Sequence, residues 1–115
     1  MSSAIGKLFA VTTSMILVTI RMNVLAEKRM ELLQTMATLS GSLRMAKGCN
    51  RCDFCQSSED ENRLFLLEEW DTQENFMTHL KSEHFGVLRG AMTLLKEPYE
   101  MIFHTGFHPE GMEEI

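Results

Sequence analysis

The order of two hydrophobic patterns along the chain constrains its fold more than any other feature of the sequence. Stretches rich in β-branched and aromatic residues predict strands, whereas apolar residues spaced three and four apart predict amphipathic helices. The strand pattern occurs at residues 15–22, 49–57, 63–70 and 99–105. The helical pattern runs from Ala26 to near Gly41, and again between Asp71 and Pro98 in two pieces divided near Ser82. The predicted order is therefore β-α-β-β-α-β.

Single side chains predict which helical face is buried and where each helical piece begins. Met30, Leu33 and Ala37, with Met36 beside them, fall on one face of the first helix, which we expect to face the core. Asp71 is the predicted N-cap of the next helical piece, and Ser82 is the predicted N-cap of the last one.

This order of elements predicts the ferredoxin-like α+β fold, in which an antiparallel sheet carries helices on one face only. A chain of 115 residues fits one such domain. We place the domain at residues 14–106, between an N-terminal extension (1–13) and an acidic C-terminal tail (107–115). The face of the sheet without helices must be covered, and in so small a domain the usual cover is a second copy of the chain. We therefore expect a homodimer.

Composition narrows the range of partners and compartments. The net charge of −5 argues against nucleic-acid binding, because binding to phosphates requires a basic surface. The apolar run at residues 8–20 is too short to span a membrane and lacks the clear cleavage site of a signal peptide, so we interpret it as a core strand preceded by an N-terminal extension. Three cysteines, an odd number, cannot all pair within the chain, which favours a reducing compartment and a cytoplasmic location.

The spacing Cys49-x-x-Cys52-x-x-Cys55 raises the question of a metal or redox site. The three residues lie in a predicted strand, where side chains alternate between faces, so Cys49 and Cys55 should face one way and Cys52 the other. We therefore expect three small apolar strand residues and no metal site. A redox or metal site stays open as an alternative that requires a break in this strand.

The segment from Trp70 to Phe85 carries the residues best suited to chemistry. His79 and His84 lie on either side of the predicted break near Ser82, so two helical pieces meeting at an angle would bring both imidazoles to one cleft. Histidine can exchange protons near neutral pH, although both residues could equally serve only to cap or decorate the junction. Trp70 is expected to plug the end of the core or to form a flat pocket wall.

The two glutamates before this tryptophan also bear on the site. Glu68 and Glu69 are neighbours in a strand and therefore point to opposite faces, so one of them is expected to be directed inward.

Several of these residues, in this order and spacing, resemble the antibiotic biosynthesis monooxygenase family. The matching pieces are the strand that ends in Glu69-Trp70 and the following His79-Leu80-x-Ser82-x-His84-Phe85 junction. The resemblance extends over residues 15–105, nearly the whole predicted domain. It implies a dimeric α+β barrel in which two sheets pack together, with a small pocket between sheet and helices in each subunit.

The resemblance also implies a range of activities. Relatives include cofactor-independent monooxygenases of phenols and quinols, haem-degrading enzymes and isomerases of a phosphorylated sugar. The haem branch is disfavoured, because its haem-ligating histidine falls at Arg89 and its ring-distorting tryptophan falls at His79.

We therefore expect an oxygenase, without metal or cofactor, that acts on a small phenol, quinol or enolisable compound. The expected catalytic residues are His84 and His79, and the expected substrate-binding residues are Trp70, Phe85 and Glu69. The alternatives are a non-catalytic ligand-binding dimer of the same fold and, less favoured, a cysteine-based redox or metal-binding protein.

Overall fold

Four strands form one antiparallel sheet in the computed structural model, which describes the backbone of residues 12–109 and the side chains of residues 14–106. The strands are β1 (Thr12–Asn23), β2 (Cys49–Gln56), β3 (Arg63–Trp70) and β4 (Glu100–Pro109). The helices are α1 (Arg29–Leu43), α2 (Gln73–Leu80) and α3 (Glu83–Ala91), with short 3-10 turns at Ala26–Lys28 and Met92–Leu94. The strand order in the sheet is β2-β3-β1-β4. The predicted ferredoxin-like α+β fold is confirmed.

β1 begins before the predicted start of the domain, and β4 ends after its predicted end. β1 pairs with β4 from Thr12, opposite Pro109, to Arg21, opposite Glu100. Two residues of the predicted N-terminal extension and three of the predicted tail therefore belong to strands. The rest of both segments, residues 1–11 and 110–115, lies outside the described residues.

One face of the sheet carries the core because strand side chains alternate. In β1, Val18, Ile20 and Met22 point toward the helices and are almost completely buried. Most of the other core residues lie in β3, α1 and α3: Leu64, Leu66 and Trp70 of β3, Leu32, Met36, Leu39 and Leu43 of α1, and Phe85, Leu88 and Ala91 of α3. Val24, Cys52 and Phe76 belong to the same cluster. The core fixes the register of β3, which positions the residues at its end beside the α2–α3 junction.

The predicted inner face of α1 is only partly right, since Met36 is buried and Leu33 packs half-buried against the core, but the other two residues are not buried. Met30 is 62% exposed and Ala37 is also exposed. The buried stripe instead contains Leu32, Met36 and two further leucines at i+7 and i+11. This stripe removes more apolar surface from water than one containing an alanine, so the helix turns its larger side chains inward.

The start of α2 also differs from the prediction by one residue. Thr72, rather than Asp71, is the N-cap, and its hydroxyl accepts a hydrogen bond from the backbone N–H of Asn75 at 3.1 Å. Asp71 instead accepts from the side-chain amide of Asn75 at 2.9 Å, and its own N–H donates to the carbonyl of Gly48. The predicted N-cap of the following helix, Ser82, is confirmed.

The other face of the sheet has no helix against it in the described part of the chain. Its apolar side chains include Leu67, which is 37% exposed, and Ile102, which is 51% exposed. None of the helices within residues 12–109 has the length and apolar character needed to cross a bilayer.

Candidate active site

The junction between α2 and α3 positions the two histidines. α2 ends at Leu80, and α3 begins at Glu83 after a turn in which the N–H of Ser82 donates to the carbonyl of His79 at 2.9 Å. The hydroxyl of Ser82 accepts from the N–H of Phe85 at 3.4 Å and thereby caps α3. The helix direction changes at this turn, so His79 and His84 lie against the same space.

A small cavity of about 130 Å³ occupies that space. Trp70, His79, Ser82 and His84 line it together with Lys47 from the α1–β2 connection. A cavity of about 150 Å³ in another protein is known to accept benzene, so this one has about the size of a single aromatic ring. The two histidines and the tryptophan singled out from the sequence thus share one cavity.

His79 is held among aromatic rings. It is 6% exposed, and its ring stacks on Trp70 with centroids 4.7 Å apart and planes 25° apart. Phe85 meets the edge of the same imidazole at 5.9 Å. Burial lowers the pKa of His79 from 6.5 to about 4, with a further contribution from nearby His84. His79 is therefore a neutral imidazole at pH 7.

Glu68 is the carboxylate that faces this site. It is 4% exposed, and its Oε1 accepts a hydrogen bond of 2.7 Å from the indole N–H of Trp70. The same oxygen lies 3.9 Å from Nε2 of His79, while Oε2 has no hydrogen-bond partner within residues 12–109. Burial raises the pKa of Glu68, and the hydrogen bond from Trp70 partly opposes that shift.

Glu69, expected among the substrate-binding residues, lies on the other side of the sheet. Its neighbours around a separate surface depression of about 290 Å³ include Arg51, Asp53 and His104. The inward-facing carboxylate is thus Glu68. The sequence held a signal for this choice, because Glu68 and Trp70 are two apart in one strand and must share a face.

Of the other expected residues, Trp70 lines the cavity directly. Phe85 is not one of the lining residues and reaches the site through its contact with His79.

The cysteines of β2 are arranged differently from the prediction. The register shifts between Cys49, opposite Trp70, and Arg51, opposite Glu69, so the strand contains a bulge at that point. The bulge places Cys49 and Cys52 on the core face and leaves Cys55 on the opposite face.

Burial is the main cause that raises the pKa of both inner thiols, that of Cys52 to about 12. No cluster of three or more His, Cys, Asp or Glu side chains suited to a metal ion occurs among the described residues.

Fold and cavity together define a ferredoxin-like α+β domain with a ring-sized space between its sheet and its helices. Residues 15–90, more than half of the chain, match the sequence pattern of the antibiotic biosynthesis monooxygenase family. The chain belongs to this family.

Solved structures show the same fold at low sequence identity. A candidate antibiotic biosynthesis monooxygenase from Nitrosomonas europaea is 20% identical with a TM-score of 0.77, over 84% of this chain and 94% of that one. A conserved protein from Methanosarcina mazei is 24% identical with a TM-score of 0.74, over 78% of this chain and 90% of that one.

A curated relative shares a shorter stretch. A protein of Haloquadratum walsbyi, named as a candidate heme-binding protein, is 34% identical over 60 residues, which is 52% of this chain. The match spans only 11% of the length of that relative.

Proposed function

We propose that the protein is a cofactor-independent monooxygenase that acts on a small, electron-rich phenol, quinol or enolisable compound. The observation that carries the proposal is that His79, His84 and Trp70 line one ring-sized cavity in a member of this family. The cavity volume favours a single-ring substrate over a fused-ring one, because about 130 Å³ is below the usual range of ligand pockets.

Cofactor-independent oxygenation requires that the substrate itself transfers an electron to O₂, so the protein must generate and hold the substrate anion. For hydroquinone the balanced reaction is hydroquinone plus O₂ giving hydroxybenzoquinone plus water. The phenolic proton leaves to a base, one oxygen atom enters the ring, and the other leaves as water. The residues around the cavity supply parts for the first of these steps.

His84 and His79 are the groups for proton removal, and Lys47 adds a positive charge at the cavity wall that favours a bound phenolate. Trp70 closes the inner wall of the cavity, and its ring holds His79, which stacks on it, in place. Its indole N–H is already occupied by Glu68, so it presents no competing donor.

Haem fits this site less well than a phenol does. The cavity is far smaller than a porphyrin, which has many times the area of one ring, and His79 is stacked on Trp70 and lies 3.9 Å from Glu68. The match to the candidate heme-binding protein also covers a small part of that protein. We therefore propose the phenol oxygenase ahead of haem chemistry.

We further propose that two copies of the chain pair through the helix-free face of the sheet, where Leu67 and Ile102 are exposed. Sedimentation of wild type as a dimer, and of Ile102→Glu as a monomer, would support this pairing. Met30→Glu, an equal change at an exposed position on α1, should leave the dimer intact.

A cytoplasmic location is supported by three cysteines that are all unpaired.

The activity is tested by O₂ uptake with hydroquinone and with dihydroxynaphthalene, followed by mass spectrometry of the product formed under isotopically labelled O₂. We expect label in the product and a preference for the single-ring quinol. His79→Ala and His84→Ala should each lower the rate about a hundredfold, the scale of general acid–base catalysis.

The control is Glu59→Ala, which removes an exposed side chain on the loop between β2 and β3, away from the cavity and from the helix-free sheet face, and should leave the rate unchanged. If His79→Ala and His84→Ala retain full activity, the residue assignment is wrong. Binding of the quinol without any labelled product would instead identify a non-catalytic ligand-binding protein of the same fold.

A further inference from the structure

Three polar side chains form a row from the cavity into the core. Ser82 lines the cavity, and its Oγ lies 3.4 Å from Nδ1 of His79. On the other side of the same ring, Nε2 of His79 lies 3.9 Å from Oε1 of Glu68. The two ring nitrogens of His79 thus face a hydroxyl at the cavity wall and a buried carboxyl.

The proposed removal of a phenol proton needs more than His79 alone, and the row of Ser82, His79 and Glu68 supplies the further groups. With a pKa of about 4, His79 is too weak a base to hold the proton of a phenol, whose ordinary pKa is near 10. A buried imidazolium would also leave a positive charge among the rings of Trp70 and Phe85. His79 needs a second group that takes the proton onward.

We propose that Glu68 is a positioning residue that acts through His79, and that Ser82, His79 and Glu68 form a relay carrying a proton from a phenol in the cavity to the buried carboxylate. This inference rests on the proposed phenol site. The O–H bond of the phenol breaks, and its proton passes through the Ser82 hydroxyl to Nδ1 of His79. The Nε2–H bond breaks in turn, and an O–H bond forms on Glu68.

The bookkeeping of charge explains why Glu68 suits this role. Before transfer the site holds one negative charge on Glu68, and afterwards it holds one on the phenolate. His79 begins and ends neutral and changes only its tautomer, so no extra charge is created in the interior. Glu68 suits this role because burial raises the pKa of its carboxyl and because its Oε1 is the oxygen that faces Nε2 of His79.

The other titratable groups around the pair do not duplicate this role. Cys49 and Cys52 face Glu68 from β2, and burial raises the pKa of both thiols, so they remain protonated. His84 from α3 and Lys47 from the α1–β2 connection line the cavity on the phenol side. The guanidinium of Arg44 donates to the carbonyl of Cys52, and its charge acts on the thiols of Cys49 and Cys52, whose pKa values it lowers against the larger effect of burial.

The first test follows the tautomer of His79 in the wild-type protein by the nitrogen NMR shifts of its ring. When Glu68 is protonated, its O–H faces a bare Nε2 and the ring proton is on Nδ1. When Glu68 ionises as the pH rises, the ring proton should move to Nε2, while the imidazole stays neutral. A tautomer that does not change while Glu68 titrates would overturn the relay. This result needs no variant.

The second test uses para-nitrophenol, whose phenolate absorbs visible light. Bound to wild type at a pH where the free phenol is mostly neutral, it should show phenolate absorbance. Glu68→Gln keeps the shape of the side chain but cannot take the proton, so we expect about tenfold less phenolate, equivalent to one unit of pKa. The control Glu59→Gln, on an exposed loop between β2 and β3, should match wild type.

The outcomes separate the relay from the oxygenase. Phenolate formation that depends on Glu68, without O₂ uptake, would support the relay and refute the oxygenase. Labelled product that forms equally well in Glu68→Gln, with unchanged phenolate absorbance, would support the oxygenase and refute the relay.

Discussion

The buried neutral state of His79 predicts a specific dependence of stability on pH. Burial lowers the pKa of this imidazole from 6.5 to about 4, so the unfolded chain binds the proton more tightly than the folded protein does. The stabilisation is therefore fully present above pH 6.5 and is lost as the pH falls through about 4. Each pH unit corresponds to about 1.4 kcal/mol, which gives a loss of about 3 kcal/mol in the free energy of unfolding.

Glu68 acts in the opposite direction over part of the same range. Its pKa is raised in the folded protein, so its contribution is fully present below the ordinary value of 4.5 and is lost as the pH rises through the folded value. Above pH 4.5 the two contributions change with pH in opposite directions. The stability of wild type alone therefore does not isolate the contribution of His79, and a comparison with a variant is needed.

The comparison is urea unfolding of wild type and His79→Gln between pH 4 and 8. The variant loses the ring stack on Trp70 at every pH, but burial and the indole hydrogen bond still set the Glu68 pKa. The stability of wild type minus that of the variant should fall by about 3 kcal/mol from pH 7.5 to 4. Met30→Gln, at an exposed position on α1 where neither side chain titrates, should give a flat difference. A flat difference for His79→Gln would show that this imidazole is not buried and neutral.

Three further expectations concern the surroundings of the site. Gly48→Ala should lower the free energy of unfolding in urea by about 2–4 kcal/mol, because its φ of +85° is strained for alanine and the added carbon would lie 2.5 Å from Asp71. As the control, Gly41→Ala lies at an open helical position and should raise the free energy of unfolding by up to about 1 kcal/mol. In a thiol titration of the native protein, Cys52 should react only after unfolding because burial raises its pKa to about 12, and reaction at the native rate of an exposed thiol would contradict its placement. Thr72→Ala should cost about 1 kcal/mol as the loss of an N-cap, and no measurable loss would argue that another residue caps α2.

Much of the fold could be predicted because the spacing of the apolar residues and the positions of the polar turns indicate the same boundaries for the strands and helices. β3 was predicted with its observed ends, since the polar loop before Arg63 and the turn after Trp70 both interrupt the pattern. α1 was harder, because apolar residues occur on more than one of its faces. Its true face depends on which side chains best fill the space under the sheet, and that is a property of the packed core.

Three residues of the candidate site could be predicted to meet, but not its carboxylate, which is Glu68 and not Glu69, nor the contacts between its members. His79, His84 and Trp70 stand close in sequence to the helix break, so their meeting in one cavity follows from local structure. The arrangement of Cys49 and Cys52 could not be predicted, because one bulged residue reverses the alternation of faces. A bulge is set by the pairing with β3 and the turn at Gly48, which the strand pattern alone does not record.

The cluster at the end of β3 is where the sequence departs from what stability alone would favour. A buried carboxyl with one unpartnered oxygen opposes folding, and below pH 6.5 so does an imidazole that burial keeps neutral. An apolar side chain at position 68 would avoid the first cost. Trp70 offers only one donor to compensate. Such exceptions concentrate at functional sites, where a strained or poorly solvated group is held ready for chemistry. The buried carboxyl of Glu68 and the neutral imidazole of His79 lie beside a ring-sized cavity. Their position there distinguishes the Trp70–Phe85 segment from an ordinary helix junction.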